Sequence, residues 1–186
     1  KYPGAEWYQE GGIMDTDGHI REKEERTFSA ADRIVAEVKN RTQAAGKIIL
    51  FGHSAGGQFV HRWALLGGKK NVDVIAVANS GWFTMPDRDI DYPYGIKNVG
   101  ITDEELGEAF AEPVILFMGE KDVERKPPFR DTPEADAQGM NRMERCTNYF
   151  RQCKAKAEEL RVPFRWKLET VEGAAHQGVK MAEGAA

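Results

Sequence analysis

The feature that most restricts the fold of this chain is the pentad Gly52, His53, Ser54, Ala55, Gly56, set between an apolar run at 47–51 and a helical repeat of apolar residues at Phe59, Val60, Trp63, Ala64 and Leu65. It fits G-x-S-x-G, a sharp strand-to-helix turn that holds a serine exposed at the carboxyl edge of a sheet. Glycines are expected on steric grounds, since side chains there would collide with the neighbouring strand and helix. His53 adjoins Ser54 but points away in such a turn, so it reads as a packing residue. His61, on the following helix with no second ligand at metal spacing, reads as a helix-surface histidine.

A serine hydroxyl is a weak nucleophile near neutral pH. It requires a histidine base within hydrogen-bond reach and a carboxylate to fix that base's tautomer. On this kind of sheet they follow in chain order serine, acid, histidine, each on a loop leaving the carboxyl end of a strand. The apolar run 113–118 is followed by Glu120, Lys121 and Asp122, and the strand-like run 164–171 by Gly173, Ala174, Ala175 and His176. Ser54, Asp122 and His176 are therefore the expected catalytic residues. Glu120 competes with Asp122 for the acid, while His176 is the only histidine after either.

The remaining periodicity alternates strands with helices. Ser29 and Asp32 suggest a cap for a helix over 29–45 with an apolar stripe at Ile34, Val35 and Val38, ended by Gly46. A strand over 72–78, a long excursion over 79–111, a helix over 134–160 and a short terminal helix over 179–182 complete the pattern. Residues 1–26 read as irregular, broken by Pro3, Gly4, Gly11, Gly12 and an Asp17-Gly18 turn. Such alternation implies an α/β fold with a parallel, doubly wound sheet in one domain.

Composition excludes several classes. With 26 basic and 30 acidic residues the formal charge is −4, and the basic residues are scattered, so no nucleic-acid footprint exists. No apolar run approaches the roughly 20 residues of a membrane span. Cys146 and Cys153 lie seven apart on the helical segment, roughly 10 Å between Cα atoms and beyond disulfide reach. Asp15, Asp17 and Glu24 resemble part of a calcium loop, but Ile13 stands at its first ligand position and cannot coordinate. A turn is the simpler reading, and no metal site is assigned.

On these motifs the chain resembles the α/β-hydrolase superfamily, and within it a bacterial group of esterases with a GHSAGGQFVHR elbow, here Gly52 to Arg62. Similar elements are Ala78 to Thr84, Asp91 to Gly95, Gly119 to Asp122, Thr132 to Gly139 and Val171 to His176. The resemblance covers nearly the whole chain. It implies a cofactor-free serine hydrolase that cleaves a small-molecule ester or related acyl bond through an acyl-enzyme. Ala55 would offer one oxyanion N–H, and the aromatic residues Trp82, Phe83, Tyr92 and Tyr94 would line the substrate site. One departure stands out: only irregular residues precede the first helix, so the chain reads as the carboxyl-terminal portion of the fold. The strand over 47–51 would then be an edge open to self-association or to an amino-terminal segment. The alternative to an esterase is a catalytically impaired fragment or binding module of the same fold. The superfamily's other oxyanion donor, from the loop after its third strand, has no counterpart in this reading; Gly11 and Gly12 could mimic it, but they lie too late in the fold order.

Overall fold

The computed structural model describes residues 4–42, 46–67 and 71–185. Four parallel strands, β1 (Ile49–His53), β2 (Val74–Ala78), β3 (Val114–Gly119) and β4 (Lys167–Val171), form one sheet in the order β1-β2-β3-β4. Each is followed by helix: α3 (Ala55–Leu66) after β1, α4 (Asp103–Ala111) after β2, α5 (Pro133–Asp136) and α6 (Arg142–Leu160) after β3, and α7 (Gly178–Ala185) after β4. Ahead of the sheet lie α1 (Ala5–Tyr8), a 3-10 turn at Lys23–Glu25 and α2 (Phe28–Thr42).

The strands read as unbroken apolar runs because both sheet faces are covered. Alternate residues enter different cores. Ile75 and Val77 of β2 and Leu116 of β3 join Trp63, Phe110 and Tyr149 in the larger core beneath α3, α4 and α6. Ala76, Ala78 and Phe117 face the other way, onto Ala174 and Met181 of the α7 side. The register pairs His53 with Ala78 and Ala78 with Phe117, while β4 pairs Gly119 with Val171. The carboxyl ends of all four strands thus reach one edge. β1 is the outermost strand on its side, with Ile49 at 46% exposure.

Several element bounds differ from the sequence reading, each for a local reason. β1 starts at Ile49 because the Ile48 N–H donates to the Asp73 carboxylate at 2.8 Å instead of to a strand neighbour. α2 begins at Phe28, so Ser29 is no cap; its hydroxyl donates to Glu24 O and Arg26 O. The buried face of α2 is Phe28 and Val35, and Ile34 (64%) and Val38 (45%) are exposed. The face is set by α3: Phe28 packs on Phe59, and Asp32 accepts from Trp63 Nε1 at 2.8 Å. Residues 28, 32 and 35 share one side of the helix, which turns 34 and 38 outward. Positions 43–45 lie outside the described residues.

The excursion at 79–111 contains α4, whose start is a capping box. Glu105 N–H donates to Thr102 Oγ1 at 3.1 Å, and Thr102 N–H to Glu105 Oε2 at 2.9 Å. The single helix expected over 134–160 is divided at Gly139. Its φ is +143°, and an added Cβ would lie 2.7 Å from Glu144 Cβ; Asn141 then caps α6. His61 is fully buried rather than on the surface. It accepts from Thr84 N–H at Nε2 (3.1 Å), leaving Nδ1–H for Gly57 O (3.0 Å). Burial, with Arg62 adjacent, holds it well below the ordinary histidine range and therefore neutral.

Cys146 and Cys153 are free and buried on α6. Burial pushes the Cys146 thiol up to about 12 and Cys153 well above its ordinary value. Thiolate is the reactive form, so both thiols are expected to resist dithionitrobenzoate at pH 8 in the folded protein. Both should react at once in denaturant. Rapid titration of either thiol in the native state would show that α6 opens locally.

Candidate active site

The turn from β1 into α3 is built by steric exclusion. Ser54 has φ +55° and ψ −115°, a strained conformation for a residue with a side chain. It is tied down by Ser54 N–H donating to Ala78 O at 3.0 Å. A Cβ on Gly52 would press on the Gly56 carbonyl and lie 2.6 Å from Val60 Cγ2. The second tight position is Gly57, outside the five-residue motif, where a Cβ would lie 2.9 Å from both Ala78 O and Ser80 Oγ. At Gly56 the nearest atom is Tyr8 Oη at 3.4 Å, an ordinary contact, so the expected steric demand falls on Gly52 and Gly57.

Three side chains far apart in sequence meet at the carboxyl edge of the sheet. Ser54 Oγ lies 2.9 Å from His176 Nε2, and His176 Nδ1 lies 2.7 Å from Asp122 Oδ2. A carboxylate accepts, so Nδ1 carries the proton and Nε2 is left to accept from the serine hydroxyl. Glu120, the competing carboxylate, is turned elsewhere: its Oε2 accepts from Gly173 N–H at 2.7 Å and so clamps the loop that carries His176. His53 is half-buried with its ring 4.7 Å from that of His176; burial first, then His176, lowers its pKa.

Two residues that sequence reasoning missed hold this arrangement. Asn79, buried at the end of β2 with φ +46°, accepts from Gly119 N–H at 2.8 Å and donates to Ala175 O at 3.0 Å. It ties the acid-bearing loop to the base-bearing loop. Arg142, the first residue of α6, is buried with Asp122 and lies 3.2 Å from the Asp122 Oδ1 that His176 leaves free. An asparagine directly after an apolar strand, where a left-handed backbone is tolerated, was the available signal for the first. Nothing local in the sequence marks Arg142.

Ser54 and Ala55 open on a cavity of about 360 Å³ walled by Gln9, Glu10, Gln58, Trp82 and Arg130. Ala55 is the first residue of α3, so its N–H has no acceptor within the helix. A second cavity of about 320 Å³ lies beside His176, bordered by Lys121, Lys126 and Arg142. Of the four aromatic residues expected to line a substrate site, Trp82 forms the cavity wall and Tyr94 backs it at 4.7 Å between rings. Phe83 instead packs in the core on Tyr149 and His61, because its backbone is locked in both directions to the Gln138 amide. Tyr92 is buried behind the wall, its hydroxyl donating to Glu10 O, and burial raises its pKa.

Gly11 and Gly12 belong to a turn of the amino-terminal segment. Their backbone is left-handed, they pack on Phe28 and Trp7, and Gly12 N–H donates to Glu6 O at 2.8 Å. At the surface Asp15, Asp17 and His19 gather, but Asp15 Oδ1 accepts from Asp17 N–H and His19 N–H, which makes this a hydrogen-bonded turn.

No family model and no curated protein matches the chain. Solved structures do, among them two with TM-scores of 0.90 or more. Poly(aspartic acid) hydrolase-1 from Sphingomonas sp. KT-1 superposes with TM-score 0.92 at 33% identity, covering 98% of this chain and 70% of that one. LpqC, a poly(3-hydroxybutyrate) depolymerase from Bordetella parapertussis, gives TM-score 0.90 at 32% identity over 97% of this chain and 62% of that one. This chain belongs to the α/β-hydrolases. Within that family its similarity is to enzymes of the esterase type. It spans 62% of the depolymerase's length and a larger share of the poly(aspartic acid) hydrolase's. Among the described residues of this α/β-hydrolase, no helix is long and apolar enough to cross a membrane.

Asn79→Ala removes the two hydrogen bonds by which Asn79 joins the acid and base loops. Hydrolysis of 4-nitrophenyl acetate is expected to fall by about 10²-fold, the scale of a small misplacement of reacting groups. Unfolding in urea should show a loss of about 1–3 kcal/mol from the buried groups left unpaired. A wild-type rate in a measurably destabilised variant would show that the loops are aligned without Asn79.

Proposed function

We propose that this α/β-hydrolase cleaves a carboxylic ester or related acyl bond of a small molecule through an acyl-enzyme on Ser54, with His176 as base and Asp122 as its orienting carboxylate. The observation that carries the reading is the continuous hydrogen-bonded chain Ser54 Oγ, His176 Nε2, His176 Nδ1, Asp122 Oδ2, at 2.9 and 2.7 Å. The two similar structures are named as a poly(aspartic acid) hydrolase and a poly(3-hydroxybutyrate) depolymerase, which accords with cleavage of acyl bonds.

In the first half-reaction the Ser54 oxygen attacks the substrate carbonyl while its proton passes to His176 Nε2. The carbonyl oxygen takes up negative charge, which the Ala55 N–H at the start of α3 stabilises. His176 then gives the proton to the departing alcohol, leaving Ser54 acylated. Water, deprotonated by His176 in turn, attacks the acyl-enzyme and releases the acid with Ser54 restored. Asp122 holds imidazole in the Nδ1–H form throughout and stabilises the imidazolium that forms. Every proton in this sequence moves between protein side chains, substrate and water. Trp82 supplies an apolar wall for the bound substrate, with Tyr94 behind it.

Ser54→Ala is expected to abolish ester hydrolysis and labelling by a fluorophosphonate probe while leaving unfolding unchanged, since the hydroxyl serves chemistry rather than packing. Asp122→Asn should lower kcat by about 10⁴-fold, the loss seen when a serine-protease triad loses its carboxylate. Glu120→Gln should cost less, because that carboxylate serves Gly173. Failure of the wild-type chain to take up the probe at Ser54 would favour a non-catalytic role, and a larger loss in Glu120→Gln would move the acid by two residues.

A further inference from the structure

We propose that the cavity at Ser54 selects an anionic substrate, an ester or related acyl compound bearing a free carboxylate, and that Arg130 is the residue that anchors it. The inference rests on the reading of Ser54 as nucleophile and adds the chemical class of what it attacks.

Arg130 lines the same cavity as Ser54 and Ala55. A guanidinium presents five N–H donors in a planar fork that matches a carboxylate. Among the described residues, no protein acceptor takes a hydrogen bond from Arg130. Its one charged contact is Glu10, at 3.9 Å and beyond hydrogen-bond distance. It is nevertheless held in place, stacked with its central carbon 4.5 Å from the Trp82 ring and 5.5 Å from that of Tyr94. Such contact uses the face of the guanidinium and leaves its edge, where the N–H groups lie, without a protein acceptor. A side chain ordered by aromatic contact with its donors unused is arranged for a ligand rather than for an internal bond.

The charge of the wall points the same way. Trp82, only 2% exposed, also carries Arg62 at 4.2 Å. Arg62 is fully buried, and its hydrogen bonds go to Thr84 Oγ1, Gln9 O and Gln58 O, all uncharged. Its Nη2 has no partner. Two guanidinium groups on one indole therefore face a single carboxylate, Glu10, which interacts electrostatically with Arg62 as well as with Arg130. The wall is left with a surplus positive charge beside the reacting serine, in a cleft where low-dielectric surroundings focus the field. An anionic substrate supplies the missing partner, whereas a neutral one leaves the Arg130 fork without an acceptor.

The test compares two 4-nitrophenyl esters with the same glutaryl chain, 4-nitrophenyl hydrogen glutarate, with its free carboxylate, and its neutral methyl ester. In the wild-type chain kcat/KM is expected to favour the anionic ester by roughly 10- to 100-fold, the value of a charge-assisted hydrogen-bonded pair. Arg130→Gln should bring the ratio close to one, the anionic ester losing more than the neutral one. Arg130→Lys should fall between, keeping the charge without the fork, and Glu10→Gln should raise the ratio. A measurement independent of any variant is protection of Ser54 from a fluorophosphonate by free glutarate, expected to exceed that by monomethyl glutarate at equal ionic strength. A wild-type ratio of one or less, an equal loss on both esters in Arg130→Gln, or equal protection by the two acids would overturn the proposal. Unlabelled Ser54 in the wild-type chain would defeat the nucleophile reading itself, whereas full labelling with no charge preference defeats only the carboxylate inference.

Discussion

Ser54 holds a backbone conformation that an unconstrained residue with a side chain would leave, and its neighbours give it no room to do so. The Gly52 and Gly57 positions admit no Cβ, and the Ser54 amide is fastened to Ala78 O on the neighbouring strand. That last bond exists because β1 and β2 run parallel in a register that pairs His53 with Ala78. Strain of this kind costs on the order of 1–3 kcal/mol and persists only where surrounding packing over-determines it. Here the packing is the two-sided core of β2 and β3, whose alternate residues enter separate apolar clusters.

The same register brings the acid and base loops to Ser54. Asp122 follows β3 and His176 follows β4, and cross-links between their loops set the final geometry. Glu120 holds Gly173 N–H, Lys121 N–H donates to Ala174 O, and Asn79 spans Gly119 and Ala175. These bonds are mostly to backbone, so they fix loop paths and leave the His176 ring free to exchange protons. Arg142 occupies the remaining oxygen of Asp122. A buried carboxylate with hydrogen-bonding partners on both oxygens is satisfied on both sides, which keeps it oriented without solvent.

The cavity wall has a different physical basis. Trp82 and Tyr94 are ordered by packing; Arg62 is held by hydrogen bonds to uncharged acceptors and lies over Trp82, and Arg130 stacks on the same ring. The amino-terminal segment closes the site from the other side. Arg62 Nη1 donates to Gln9 O, the Tyr92 hydroxyl donates to Glu10 O, and Tyr8 stacks on Phe59 of α3. Residues that read as irregular in sequence thus form part of the wall beside Ser54.

The sequence by itself determined the alternation of strands and helices, the strained turn at Ser54 and the chain order Ser54, Asp122, His176. These are encoded in local periodicity, in glycine placement and in the residues that follow each strand. The capping box at Thr102 and Glu105 is equally local, but the sequence reading passes over it and leaves α4 inside the long excursion. Only the tertiary structure decided which of two nearby carboxylates, Glu120 or Asp122, faces His176, which side of α2 is buried, and that His61 and Phe83 lie in the core. It alone placed Asn79, Arg142 and Arg130 around the serine. The reason is physical: backbone propensity and periodicity act over a few residues, whereas the direction of a side chain is set by partners 20 to 122 residues away. Those partners are brought near only when the parallel sheet is assembled.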